Sequence, residues 1–112
     1  MEFNENKPIY IQIADNICDR ILTGEFPAGA RIPSVREWSG TIGVNPNTVV
    51  RSYDHLAGKG IIANQRGIGY SVCEDACAVI LDTERRHFLE EELPAFLERA
   101  GKLGIDIHEH IK

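Results

Sequence analysis

Three small polar side chains stand close together at Asn45, Asn47 and Thr48, where the sequence predicts that a helix begins. Asn45 suits the N-cap, and Pro46 suits the first helical position because its missing amide would be unpaired there anyway. Amide and hydroxyl groups at a helix start can meet base edges or phosphate oxygens, since an α-helix fits the major groove of B-DNA. Free backbone amides and the positive dipole end are also expected there, and both favour a phosphate oxygen. These residues indicate DNA binding.

Two short helices are predicted to position this group. Ser34 and Glu37 have the spacing of a capping box, which predicts a helix start at Ser34, and Gly43 is placed to end that helix after about two turns. The second helix begins at Asn45, and its apolar stripe leaves Asn47, Thr48, Arg51, Ser52 and His55 around the outward side. The sequence therefore predicts a helix-turn-helix with a polar second helix.

A β-hairpin with a basic tip is predicted after the second helix. Short strands are expected over Ile61–Asn64 and Tyr70–Cys73, and the five residues between them are rich in glycine and contain Arg66. Two helices followed by such a hairpin form a winged helix-turn-helix arrangement. The predicted fold is therefore mainly α with a small β-hairpin.

Helices are also predicted on both sides of this module. Apolar residues at helical spacing predict a helix over Ile9–Leu22, before a connector over 27–33 that two prolines and a glycine keep non-helical, with room for one short strand at its end. A second helical period runs over 76–102. Within it, Pro94 predicts a kink or break near Glu92, because proline removes one backbone hydrogen bond.

Charge is distributed unevenly along the chain. The formal net charge is −5 at pH 7, yet residues 31–73 contain five basic residues against two acidic ones, between acidic flanks. This asymmetry is expected when one face of a protein meets phosphates. Scattered surface charge is the simpler interpretation, so the pattern supports the polar helix only weakly by itself.

Other chemistries have less support in the sequence. Cys73, Cys77, His108 and His110 carry atoms that bind zinc, but the cysteine spacing is not that of a zinc pair, so we expect no metal and no cofactor. Catalytic triads, glycine-rich phosphate loops and paired catalytic carboxylates are absent at convincing spacings. We therefore expect that the protein is not an enzyme.

Length and composition limit the remaining classes. The 112 residues, 43% apolar and 26% charged, suit one folded domain or a small domain with an appendage. The longest apolar run, 76–81, is far short of a membrane span. The acidic amino terminus does not resemble a signal peptide, and three cysteines fit reduced thiols. We therefore expect a cytoplasmic protein.

The order and spacing of these motifs resemble the GntR family of bacterial transcription regulators over about residues 7–74. The short tail and the Asn-Pro-Asn-Thr-Val helix start are similar to the YtrA-type branch, which has no large ligand-binding domain. The matching motifs are Pro8-Ile9-Tyr10 with Gln12-Ile13, Gly24, Pro27 and Gly29, Ile32-Pro33-Ser34-Val35-Arg36-Glu37, Val44-Asn45-Pro46-Asn47-Thr48-Val49 with Arg51, Tyr53 and Leu56, and the glycines Gly60, Gly67 and Gly69.

The resemblance implies which residues contact DNA. Other branches have arginines at the positions of Pro46 and Val50, and Arg51 could compensate for their loss from the same helix face. The family's contact positions fall on Arg36, Asn45, Asn47, Thr48, Arg66 and Gly67.

The resemblance also implies a homodimer that binds an inverted-repeat operator in double-stranded DNA, usually as a repressor and often of a transporter operon. A composition change after Glu74 predicts a DNA-binding domain over 7–74 and a helical dimerisation segment over 75–112. The alternative is a winged-helix module whose polar helix binds a protein. No pattern identifies a small-molecule effector. The predicted dimer contact consists of the apolar residues Phe88, Leu89, Leu93, Phe96 and Leu97.

Overall fold

The computed structural model describes residues 1–111. Contacts within it divide the chain into two units, one from Met1 to Ile80 and one from Leu81 onward. None of the helices in the described part is long and apolar enough to cross a membrane. The first unit contains α1 (Ile9–Leu22), α2 (Val35–Ile42), α3 (Pro46–Gly58), β1 (Ile62–Gln65), β2 (Gly69–Val72) and the start of α4 (Ala76–His87).

The core of the first unit lies between α1 and α3. Ile13 and Ile17 of α1 and Val49 and Tyr53 of α3 are all buried, because residues three or four apart share one helix face. The Tyr53 hydroxyl donates a hydrogen bond to the Pro33 carbonyl at 2.6 Å, which ties the connector to α3. The predicted helix over Ile9–Leu22 is confirmed.

The capping box at the start of α2 is also confirmed. The Glu37 amide donates to the Ser34 Oγ at 3.1 Å, and the Ser34 amide donates to the Glu37 Oε1 at 3.2 Å. These bonds, the one from the Ser34 amide first, lower the pKa of the Glu37 carboxyl. Gly43 ends the helix with a φ of +71°, a left-handed conformation that favours glycine.

The hairpin forms with each strand one residue nearer the tip than predicted. The Ile68 amide donates to the Gln65 carbonyl at 2.9 Å, and this tight turn lets Gln65 pair with Gly69. The predicted short strand of the connector is a single bridge, in which Arg31 pairs with Ser71. The wing therefore has two full strands and one isolated bridge.

The second unit is helical and contains the predicted break. A π-helical turn over Phe88–Glu92 separates α4 from α5 (Leu93–Lys102), and the Leu93 amide donates to the Phe88 carbonyl across it. Pro94 lacks the amide that a continuous α-helix would need, and a wider turn just before it accommodates this loss. A short 3₁₀ turn at Ile107–Glu109 follows.

Helix α4 begins just after the proposed boundary at Glu74, but its first residues belong to the first unit, which extends to Ile80. Its residues Ala76 and Ile80 are buried in the core of the first unit. That the segment 7–74 is a complete DNA-binding domain remains a prediction, and a fragment ending at Glu74 would lack these two core side chains.

Candidate DNA-binding surface

One face of α3 is exposed to solvent, because the opposite face is used by the core. The buried face consists of Val49, Ser52, Tyr53 and Leu56. The exposed side chains are those of Pro46, Asn47, Val50, Arg51 and Asp54. Periodicity predicted the exposure of Asn47 and Arg51. Its placement of Ser52 on the outward side is wrong, because the Ser52 side chain is fully buried and its hydroxyl donates to the Tyr10 carbonyl oxygen of α1. Thr48 and His55, also predicted there, are half-buried. Val50 is 39% exposed and lies outside the core cluster, although it is apolar.

The start of α3 is capped as predicted, but its amides are not free. The Asn45 Oδ1 accepts the Asn47 amide at 2.8 Å. The amides of Thr48 and Val49 donate to the Asn45 carbonyl at 3.0 and 3.3 Å, and Pro46 has no amide to offer. The expectation of unpaired amides at this helix end is therefore wrong, since the cap already satisfies them. A phosphate contact at this helix end is therefore expected to use mainly side chains.

Arg51 is exposed on α3 but is held by an aromatic ring. Its guanidinium carbon lies 4.2 Å from the centroid of the Tyr10 ring, which belongs to α1. Cation–π contacts of this kind restrict a side chain that is otherwise very flexible. The sequence placed Arg51 on the correct face but gave no sign of this partner.

Arg36 is exposed in the first turn of α2. The Asn45 group follows the end of the same eight-residue helix, and α2 packs against α3, whose start carries that group. Arg36 remains a predicted DNA contact on the first of the two motif helices.

The wing tip presents Arg66 and Gly67 to solvent. Gly67 has a φ of +81° inside the turn, which a residue with a side chain would adopt only with strain. Its bare backbone can approach a ligand closely. Next to it, Ile68 is an exposed apolar residue that the prediction did not include.

Arg31 is a further basic residue that sequence reasoning missed. A Cβ placed on Gly69 would lie 3.4 Å from the Arg31 Nε, so the guanidinium group packs against the wing backbone. The same charge contributes to the lowered pKa of Glu37, which places Arg31 near the start of α2. Its position in the basic segment was the one available signal, because no motif pointed to it.

The arrangement of these elements and the similarity of the sequence to a known family together show to which family the chain belongs. A helix-turn-helix with a polar second helix and a basic wing is present, and the family described as "Bacterial regulatory proteins, gntR family" matches residues 9–72. The chain belongs to the GntR family. It is a DNA-binding transcription regulator of the helix-turn-helix type, and such GntR proteins are not enzymes.

Relatives of this GntR chain extend over nearly its full length. It is 36% identical over 111 residues to the transcriptional regulator YhcF of Bacillus subtilis, covering 99% of this chain and 90% of that protein. It is 34% identical over 108 residues to the transcriptional repressor YtrA of the same organism, covering 94% and 82%. A GntR-family regulator from Bacteroides thetaiotaomicron superposes with a TM-score of 0.79 at 45% identity, covering 91% and 88%.

The GntR surface is thus built on three elements, with α2 and β1 each packed against α3. The sequence-predicted residues lie on them as described, and Asp54 adds one negative charge to the exposed face of α3. Among residues 1–111, no group of three or more His, Cys, Asp or Glu side chains could hold a metal ion.

Proposed function

We propose that this GntR regulator is a homodimeric repressor that binds an inverted-repeat operator in double-stranded DNA. Apolar surface in the second unit carries the proposal. Several large apolar side chains exposed on neighbouring helical turns are uncommon on monomers, and a closed two-fold contact would cover them. The predicted contact residues Phe88, Leu89, Phe96 and Leu97 are 50, 60, 57 and 48% exposed.

The proposed dimer surface also extends beyond the predicted residues. Leu93 is only half-buried, so it adds less free surface than its neighbours. Phe96, Leu103 and Ile105 border an apolar groove of about 330 Å³ that suits side chains from a second copy. We therefore include Leu103 and Ile105 in the contact.

The operator itself tests this proposal. Sequences selected by the full-length protein from a pool of random duplexes should converge on an inverted repeat, because a two-fold dimer presents two identical reading helices. Convergence on single, unpaired half-sites would contradict the dimeric reading. Mapping the selected sequence onto the genome of origin then tests two remaining proposals, repression and control of a transporter operon. Such regulation of chromosomal genes would take place in the cytoplasm.

Within this proposal, the exposed face of α3 reads bases. An Asn side chain pairs well with the N6 and N7 of adenine, and an exposed apolar side chain can contact the C5-methyl group of thymine. Asn47 and Val50 lie one turn apart on the exposed face, so they can address adjacent A·T pairs. Thr48 is half-buried beside them and is assigned a phosphate contact. Asn45 mainly caps the helix.

Replacing thymine by uracil in the operator should reveal the Val50 contact. The exchange removes one methyl group and leaves base pairing intact. At the contacted position it should weaken binding by the parent protein about fourfold, in line with about 0.8 kcal/mol for burial of one methyl-sized apolar group. The Val50→Ala variant should be indifferent to the same exchange. Fluorescence titration of the four combinations measures this. An equal loss for both proteins would show that another residue reads that methyl group.

Arg36→Ala and Arg66→Ala should weaken binding in different ways. If Arg36 reads a guanine edge, its loss costs about 1 to 3 kcal/mol on the operator and relaxes preference at one symmetric pair of positions. Arg66 on the wing acts as charge, so its loss lowers affinity for operator and scrambled DNA alike and reduces the salt slope by about one. Titrations of both duplexes at three salt concentrations separate the two effects. Identical profiles for the two variants would contradict this division of roles.

A further inference from the structure

The Tyr10 ring is itself held in place by α3. The hydroxyl of Ser52, which is fully buried, donates to the Tyr10 carbonyl oxygen at 2.8 Å and so ties the first turn of α1 to α3. The His55 ring packs edge-on against the Tyr10 ring, with centroids 6.0 Å apart. Contacts other than the one with Arg51 therefore hold both the backbone and the ring of Tyr10.

The charges around this stack favour it. Burial first, and then the nearby Lys59, lower the pKa of His55, which favours the neutral ring and reduces repulsion of the guanidinium group. Stacking uses only the flat face of a guanidinium group, and its N–H donors lie in the plane and stay available to a ligand. Arg51 is accordingly still exposed while it rests on Tyr10.

We propose that Tyr10 is a positioning residue for DNA binding, whose ring holds the Arg51 guanidinium ready for an acceptor on the operator. The inference rests on the proposed contact of Arg51 with DNA. A free arginine loses considerable rotamer freedom when it binds, and a side chain already ordered in the unbound protein avoids much of that loss. A residue of α1, outside the helix-turn-helix, therefore contributes to affinity without touching the bases.

A double-mutant cycle in the full-length protein tests this proposal. Tyr10→Leu should weaken binding to the selected operator about three- to fivefold, the range expected for an exposed cation–π contact. Tyr10→Phe keeps the ring face and should bind within about twofold of the parent. In the Arg51→Ala background, Tyr10→Leu should have no further effect. Fluorescence titration measures the dissociation constants of the parent and of the four variants. Tyr10→Met is a second ring-free variant should Tyr10→Leu unfold.

The outcomes separate this inference from the function on which it rests. If Arg51→Ala binds like the parent, the DNA contact of Arg51 is wrong, and the positioning role of Tyr10 is overturned with it. If Arg51→Ala binds weakly but the Tyr10→Leu effect adds to it in full, only the positioning role is overturned. Scrambled DNA distinguishes the acceptors, because a phosphate contact weakens both duplexes and a base contact weakens the operator alone.

A measurement on the free protein checks the contact without DNA. Protons above an aromatic face are shielded, so the NMR signals of the Arg51 Cδ and Nε protons should lie upfield in the parent and in Tyr10→Phe. They should return to ordinary positions in Tyr10→Leu. Ordinary positions in the parent would overturn the proposal, since a merely structural Tyr10 would not require the stack.

Discussion

Phe96→Glu should turn the protein into a monomer and weaken operator binding about 100-fold or more, because a dimer gains affinity from two half-sites held together. The substitution places a carboxylate in the apolar contact, where an unpaired charge is costly to desolvate. Phe96 is 57% exposed in the single chain, so the protomer should keep its fold. Sedimentation velocity and operator titration measure the two effects on the same samples.

Lys102→Glu is the matched control for this experiment. Lys102 lies on the same helix as Phe96, but six residues away and on the opposite, polar face, with its side chain 74% exposed. It introduces the same acidic group outside the proposed contact and should leave the protein dimeric with nearly parental affinity. A Phe96→Glu protein that still sediments as a dimer would place the interface elsewhere. Loss of dimer in both variants would indicate general charge repulsion instead.

Inserting five base pairs between the two half-sites of the operator should reduce the affinity of the parent protein about 100-fold, the same loss as expected for Phe96→Glu. In a two-fold dimer the recognition helices enter successive major grooves about one helical turn apart, on one face of the DNA. About half a turn of extra DNA rotates one half-site to the opposite face, where the second α3 cannot reach it. Titration of the parent protein on the spaced and original duplexes measures the loss.

The control for spacing is an operator of unchanged length whose five central base pairs are exchanged. It should retain affinity within a few-fold, because those pairs lie between the contacted positions and act only through DNA deformability. Full affinity on the spaced duplex would contradict two rigidly arranged reading helices. Such a result together with a dimer in solution would show that the two DNA-binding units are joined flexibly.

The features that the sequence determined by itself are those that depend on interactions between residues close together in the chain. Caps, helix ends and apolar stripes depend on residues within a few positions of each other, and the capping box at Ser34 and the break before Pro94 were predicted for that reason. The order of the motifs along the chain also predicted the GntR family, and the match of the family model to residues 9–72 confirmed that prediction. The fold class and part of the exposed face of α3 were therefore predictable without coordinates, whereas the burial of Ser52 and the exposure of Val50 were not.

Tertiary structure decided the contacts between distant segments. The stack of Arg51 on Tyr10 joins two helices about 40 residues apart in sequence, and Arg31 reaches Gly69 only because the connector pairs with β2. Neither contact has a periodic or motif signal. They arise where packing of the core brings two distant surface segments together. The burial of Ile80 within the core of the first unit has the same origin. Chain position therefore predicted which helix reads DNA, while packing between helices placed the Arg51 guanidinium over the Tyr10 ring.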